Sequence, residues 1–219
     1  MSAWSFSKKI PGYHLRLARS SDDLQKIRKF RENIFDQNQN DALKRMYRRD
    51  LTSHHLIVET EDSQEVIGYY RLTCSLFSND FDSSDCFDLS EIFSRPGDHL
   101  ELSYACVHPD HRFGPVIRLL LSAIKDFCRF YQINTVFGCA SLKTLDQEKA
   151  LRAYNILTSK EPIQDRKKNL APLLRFYFQL GAIVLAPPFF DQDFSCFDFF
   201  MMLDLTSVPD EIWARFLNL

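Results

Sequence analysis

The order of apolar runs predicts a mixed α/β fold: a mostly antiparallel central sheet flanked by helices on both faces. Three observations lead there. Leu56–Glu59 and Val66–Ser75 are apolar runs separated by a short polar turn, the pattern of an antiparallel hairpin. Leu100–Val107 and Asn134–Leu142 are apolar runs joined by a helical stretch, which makes them parallel neighbours. Ala182–Ala186 and Phe194–Leu205 then flank a Pro-Pro-Phe-Phe turn and close the chain as a second hairpin.

Each element has its own local reason. Tyr13–Arg19 alternates apolar and polar residues and reads as a first strand. Ser20 or Ser21 caps the following helix, Asp22 and Asp23 suit its positive end, and Leu24, Ile27, Phe30, Ile34 and Phe35 form its buried stripe. A shorter, mostly polar helix is expected over 40–50. Residues 78–98 are acidic, Ser-rich and long for a connection, and such segments are functional or mobile. His108–Gly114 turns the chain. Pro115 sits where a first helical residue belongs, and Ile117, Leu120, Leu121, Ile124, Phe127, Cys128 and Tyr131 recur at helical spacing. A helix is expected over 146–158, a charged linker over 161–169, and a short terminal helix over 210–217. The helix from Ala171 has Pro172 in its first turn and Gly181 just past its end.

With 219 residues and no internal repeat or clean linker, the chain reads as one domain, with a core of about 13–205. Lys and Arg number 27 against 29 Asp and Glu, so bulk charge gives no case for nucleic acid. Basic clusters at 26–31, 44–49 and 166–168 read as solvated faces or as a landing surface for an acidic partner. No apolar run is long enough to span a bilayer, and the N-terminus lacks the core of a signal peptide. The six cysteines include no C-x-x-C pair and read as reduced thiols in the cytoplasm, with Cys139 a core residue. No histidine has ligand spacing with a carboxylate pair, so no metal is assigned.

Chemistry concentrates in 100–142. Glu101 interrupts a run otherwise fit for burial, and a buried acid needs a partner or a task. An ion pair with Arg71 or Arg31 is the structural reading. The functional one is a general base whose pKa burial raises. The helix beginning near Pro115 points its N-terminal amides at the groove beside that strand, where Arg112 adds a fork of donors suited to a phosphate. An acid beside an anion clamp suits transfer of a group carried on a phosphate-bearing thiol.

Five stretches carry a resemblance: Phe87-Asp88-Leu89-Ser90; Leu100-Glu101; Cys106-Val107-His108-Pro109-Asp110-His111-Arg112; Phe137-Gly138-Cys139-Ala140-Ser141-Leu142; and Tyr177-Phe178-Gln179-Leu180-Gly181-Ala182. Together they resemble the GNAT superfamily of N-acyltransferases, and within it the bacterial ornithine-lipid enzymes that acylate an ornithine α-amine from acyl carrier protein. The sister acyl-homoserine lactone synthases share Glu101 and Ser103. The resemblance runs from about Tyr13 to Leu205 and implies a GNAT-like fold.

It also implies site roles. Glu101 is then the base, with Ser103 supporting it by a hydrogen bond, and Tyr177 the acid that protonates the leaving thiolate. Arg112 and Gly114 hold the donor phosphate, and a backbone amide near Cys106 and Val107 steadies the oxyanion. Arg31 orients the donor or an acceptor carboxylate. Part of the Phe surplus lines a tunnel for an acyl chain.

The implied partners are an amino-acid acceptor and acyl carrier protein, whose phosphopantetheine thioester is the co-substrate; no cofactor is permanently bound. Pro115 and Ile117 replace small residues of the usual coenzyme A loop, which favours a carrier-protein donor that presents a single phosphodiester. A coenzyme A-dependent acetyltransferase, an acyl-homoserine lactone synthase and an inactive ligand-binding relative stay open. An amphiphilic product implies work in the cytoplasm at the inner face of a membrane.

Overall fold

A computed structural model describes residues 4–35, 46–112, 114–159, 170–209 and 211–212, with Leu173 by its backbone alone. The elements are β1 (Ser7–Ile10), β2 (Tyr13–Leu17), α1 (Ser21–Ile34), β3 (His54–Thr60), β4 (Val66–Cys74), a 3-10 turn (Asp82–Asp85), α2 (Ser90–Phe93), β5 (His99–Val107), α3 (Val116–Tyr131), β6 (Thr135–Leu142), α4 (Gln147–Thr158), α5 (Pro172–Gln179), β7 (Ile183–Val184), β8 (Phe189–Asp191) and β9 (Cys196–Asp204). The strands form one sheet in the order β1-β2-β3-β4-β5-β6-β9-β7, with β8 also paired to β9. Among the described strands only β5 and β6 run parallel, as the helical crossover requires.

Alternation along the strands gives the sheet two apolar faces. Leu56, Tyr70, Leu72 and Leu100 pack under α3, and Ala140, Leu142, Phe199 and Met201 continue that face under α4 and α5. On the other face Ile57, Tyr69 and Cys106 meet α1, while Phe137, Phe200 and Met202 meet Phe81 and Ile92. Gly68 on β4 lets the first turn of α3 press onto the sheet, because a Cβ there would stand 2.3 Å from Val116 Cγ1. Ser20 caps α1 through a capping box with Asp23, and Gly181, at φ +94°, follows α5.

Sequence and structure differ at several places. β1 is an extra edge strand, paired to β2 by a tight turn at Gly12. The segment 78–98 holds the 3-10 turn and α2, because buried Phe81, Leu89 and Ile92 tie it to the sheet. Helix α3 starts at Val116 with Pro115 as its cap, one residue later than expected. Of the helix expected over 40–50, residues 46–50 are helical and 40–45 lie outside the described residues. The linker 161–169 and most of the terminal helix 210–217 also lie outside them.

Candidate active site

The site forms where the sheet opens. Parallel pairing between β5 and β6 ends at Glu101–Phe137. At the next position Gly138 lies so near β5 that a Cβ would stand 2.3 Å from Leu102 O. Beyond that contact the strands separate, and a cleft of about 1190 Å³ reaches from the α1 face into the gap. An apolar chamber of about 60 Å³ lies on the other side, under α3 and α5. Tyr70, Leu102, Cys139 and Tyr177 line both spaces.

Glu101 has no solvent-exposed surface, yet it lines the cleft. Its Oε2 accepts the Asp82 amide at 2.8 Å and its Oε1 the Ser83 amide at 2.7 Å. Burial, and next the Asp82 carboxylate, push its carboxyl up from 4.5 to about 7, against the Ser83 hydroxyl and those two amides, which favour the charged form. A group that titrates near neutrality is poised to accept a proton and release it again. Neither arginine suggested for an ion pair reaches it: Arg71 binds Asp50 and Asp82, and Arg31 binds Asp50.

Three expected roles change once the side chains are placed. Ser103 Oγ accepts from Arg71 Nε at 3.1 Å, so it supports Arg71, and Glu101 is held by main-chain donors instead. Arg31 is buried, bidentate to Asp50 at 2.8 and 2.5 Å and 3.1 Å from the Tyr69 hydroxyl, so its two terminal nitrogens are used inside the protein. The Gly114 amide donates to His111 O at 3.1 Å, which occupies it within the turn before α3. In the basic cluster at 44–49, Arg49 is 3 % exposed and binds Asp80, Asp82 and Asp85, while Arg48 is exposed; residues 166–168 lie outside the described residues.

Arg112 is exposed at the mouth of the cleft, its Nε donating to Val107 O at 3.3 Å. Cys106 and Val107 line the same cleft. Just before them β5 bulges. Tyr69 pairs with Cys106 and Arg71 with Ser103, so Tyr104 and Ala105 both face Tyr70. Tyr104 takes φ +54°, a conformation costing a non-glycine residue about 1–3 kcal/mol. The Arg71 guanidinium lies 4.4 Å from its ring centre, which holds it there. A bulge of this kind re-aims the strand beyond it.

From the opposite face α5 delivers Tyr177, whose hydroxyl is hydrogen-bonded to that of Tyr70. Burial raises the pKa of both phenols, so each stays protonated at neutral pH. Cys139 packs against the core around Phe137 and Phe200 and also lines cleft and chamber, and burial pushes its thiol well above the usual range, so no thiolate forms at neutral pH. Two features escaped sequence reasoning: the Asp82–Ser83 amides and the Tyr70 partner of Tyr177. Only the acidic, Ser-rich character of 78–98 hinted at the first.

A buried carboxyl thus lines a cleft beside the split between two parallel strands. The acetyltransferase (GNAT) domain model matches residues 26–122. Over that stretch the chain resembles the acyltransferases of the GNAT family.

Its relatives narrow the comparison. The chain is 25% identical to the L-ornithine N(alpha)-acyltransferase of Rhodobacter capsulatus, covering 91% of this chain and 92% of that one. It is also 25% identical to the Brucella abortus protein of the same name, covering 91% and 87%. Two solved structures share the fold. FeeM, an N-acyl amino acid synthase from uncultured soil microbes, has a TM-score of 0.60 at 7% identity, covering 92% of this chain and 93% of that one. The AHL synthase LasI has a TM-score of 0.57 at 11% identity, covering 93% and 95%.

Proposed function

We propose that this protein transfers a long-chain (3-hydroxy)acyl group from the phosphopantetheine thioester of acyl carrier protein to the α-amine of an amino acid, ornithine or a close analogue. The product is an N-acyl amino acid that serves as a lipid precursor. The observation that carries this reading is the position of Glu101, buried yet on the wall of a cleft that shares Tyr70, Leu102, Cys139 and Tyr177 with an apolar chamber.

The chemistry follows from the side chains. Arg112 fixes the donor phosphate at the cleft mouth by a charge-assisted bond. Glu101 takes a proton from the α-ammonium, directly or through a water, so that the nitrogen can attack the thioester carbonyl. A backbone amide beyond the β5 bulge, near Cys106 and Val107, stabilises the oxyanion. As the carbon–sulfur bond breaks, Tyr177 protonates the thiolate and is reprotonated from solvent. Of the two protons the ammonium sheds, sulfur gains the equivalent of one and solvent receives the other through Glu101. Pro115 and Ile117 at the helix end favour a donor with a single phosphodiester over coenzyme A. No helix among the described residues is long and apolar enough to cross a membrane. The amphiphilic product calls for action at the inner membrane face, with the chain in the cytoplasm.

The test offers acyl carrier protein and coenzyme A thioesters with a panel of amino acids, follows free thiol, and identifies the amide by mass spectrometry. The expected result is an N-acyl amino acid formed faster from the carrier-protein donor. Faster turnover with coenzyme A thioesters overturns the donor assignment. No thiol release with any pair, while acyl ligands still raise the melting temperature, identifies a ligand-binding relative instead.

A further inference from the structure

We propose that Asp82 is the positioning residue of this site: its main chain grips Glu101, and its side chain, held between Arg71 and Arg49, sets the charge that Glu101 feels. The inference rests on the reading of Glu101 as the base and adds a residue nineteen positions away in sequence.

The two halves of Asp82 act in opposite directions. Its amide, with that of Ser83, donates to the Glu101 carboxyl at 2.8 and 2.7 Å and favours the ionised form. Its carboxylate is a neighbouring like charge and favours the neutral form. That carboxylate is fixed: Arg71 Nη2 donates to Oδ2, Arg49 Nη1 lies 3.2 Å from Oδ1, and the Tyr104 hydroxyl lies 3.5 Å from Oδ1. Arg71 in turn donates to Met46 O at 2.7 Å and to Asp50, and Arg49 grips Asp85 at 2.7 Å through two nitrogens. The 3-10 turn is therefore tied at both ends to the helical residues 46–50 and to β4. Ionic contacts to elements far apart in sequence join the buried Phe81, Leu89 and Ile92 in placing the amides on Glu101.

Charged and titratable groups surround Glu101 on each side. Asp82 comes from the turn, Arg71 from β4, Tyr104 from β5, Cys139 from β6 and Arg49 from residues 46–50. Arg71 is buried and bound to three carboxylate and hydroxyl partners, so its charge is largely committed. Tyr104 and Cys139 stay neutral near pH 7, because burial raises both. Asp82 is thus the neighbouring charge that acts on Glu101, and Arg49, bound to Asp82, is expected to act in the opposite sense.

The test reads Glu101 directly and needs no turnover. The carboxyl carbon of Glu101 is titrated by NMR in protein carrying 13C-labelled glutamate, with assignment by its loss in Glu101→Gln. Asp82→Asn keeps the amide and the shape but removes the like charge, so the midpoint is expected to fall by about one pH unit. Arg49→Gln removes the opposing charge, and the midpoint is expected to rise. The acidic limb of kcat/KM should move with each. Two unmoved midpoints, or two shifts of the same sign, overturn the proposal, since a merely structural role lowers activity without moving the titration. If Asp82→Asn does not fold, the rise in Arg49→Gln supports the proposal and an unmoved midpoint overturns it. A wild-type protein that releases no thiol, but whose midpoint shifts in both directions, overturns the acyl-transfer reading and leaves the role of Asp82 standing.

Discussion

Replacing Glu101 by Gln separates the chemistry of this site from its stability. Burial pushes the wild-type carboxyl up from 4.5 to about 7, so folding disfavours its charged form by a cost on the order of 3 kcal/mol. The sign follows from proton binding. Between pH 4.5 and 7 the native state keeps a proton that the unfolded chain has lost, so stability falls as pH rises through that window. Gln removes this cost. It introduces another, because its NH2 group must face either the Asp82 or the Ser83 amide, donor against donor. A buried unpaired donor costs about 1–3 kcal/mol. The two effects oppose each other at similar size, so at pH 8 the variant is expected to match wild type in urea to within about 2 kcal/mol.

Catalysis has no such compensation. Loss of a general base costs about a hundred- to ten-thousandfold in rate. For wild type, kcat/KM is expected to drop about tenfold per pH unit below 7, and this limb vanishes in the variant. The assay is thiol release from acyl carrier protein thioester over about pH 5.5 to 9, paired with urea unfolding at one pH. A folded Glu101→Gln protein that keeps more than about a tenth of the wild-type rate would refute the base assignment.

Other outcomes follow from the same geometry. Arg112→Ala should raise the apparent KM for the donor by about tenfold or more, the value of one charge-assisted bond, with a smaller change in kcat; the reverse pattern argues against a phosphate clamp. Tyr177→Phe should lower kcat by about a hundredfold, and should also destabilise by about 1–3 kcal/mol by leaving the Tyr70 hydroxyl unpaired. Unchanged kcat would remove the acid role. Gly138→Ala places a Cβ 2.3 Å from Leu102 O, so β5 and β6 must part there. A loss of about 1–3 kcal/mol in urea, with a fall in kcat because Leu102 adjoins Glu101, is expected. His55, buried between Tyr69 and the Asp50 carbonyl, is lowered to about 4, so the unfolded chain takes up its proton first. Stability should therefore fall as pH drops from 6.5 towards 4, and His55→Gln should flatten that slope in urea titrations at successive pH values.

The general outline of the site could be read from the chain because each clue was local. Glu101 stands out as an acid in an apolar run. Arg112 follows a strand and precedes a helix, and Tyr177 lies in a helix marked by Pro172 and Gly181. Partners were not local. Ser103 shares a face with Glu101, which invited a bond between them, yet Arg71 from the adjacent strand takes its hydroxyl. Arg31 lies on a helix with charged neighbours and looked exposed, but it is buried against Asp50. The Tyr104 bulge carries no glycine to announce it, since the strain is absorbed by the ring's contact with Arg71.

By itself the sequence determined the alternation of strands and helices, the parallel pair at the centre, and the burial of one carboxylate, because periodicity and turn chemistry act over a few residues. Which groups meet that carboxylate was decided only by tertiary structure. The turn at Asp82–Ser83 is nineteen residues from Glu101, Tyr70 is 107 residues from Tyr177, and the opening between β5 and β6 depends on a backbone approach at Gly138. Contacts over such distances form only when the whole sheet closes, since each must offset the entropy of bringing remote segments together.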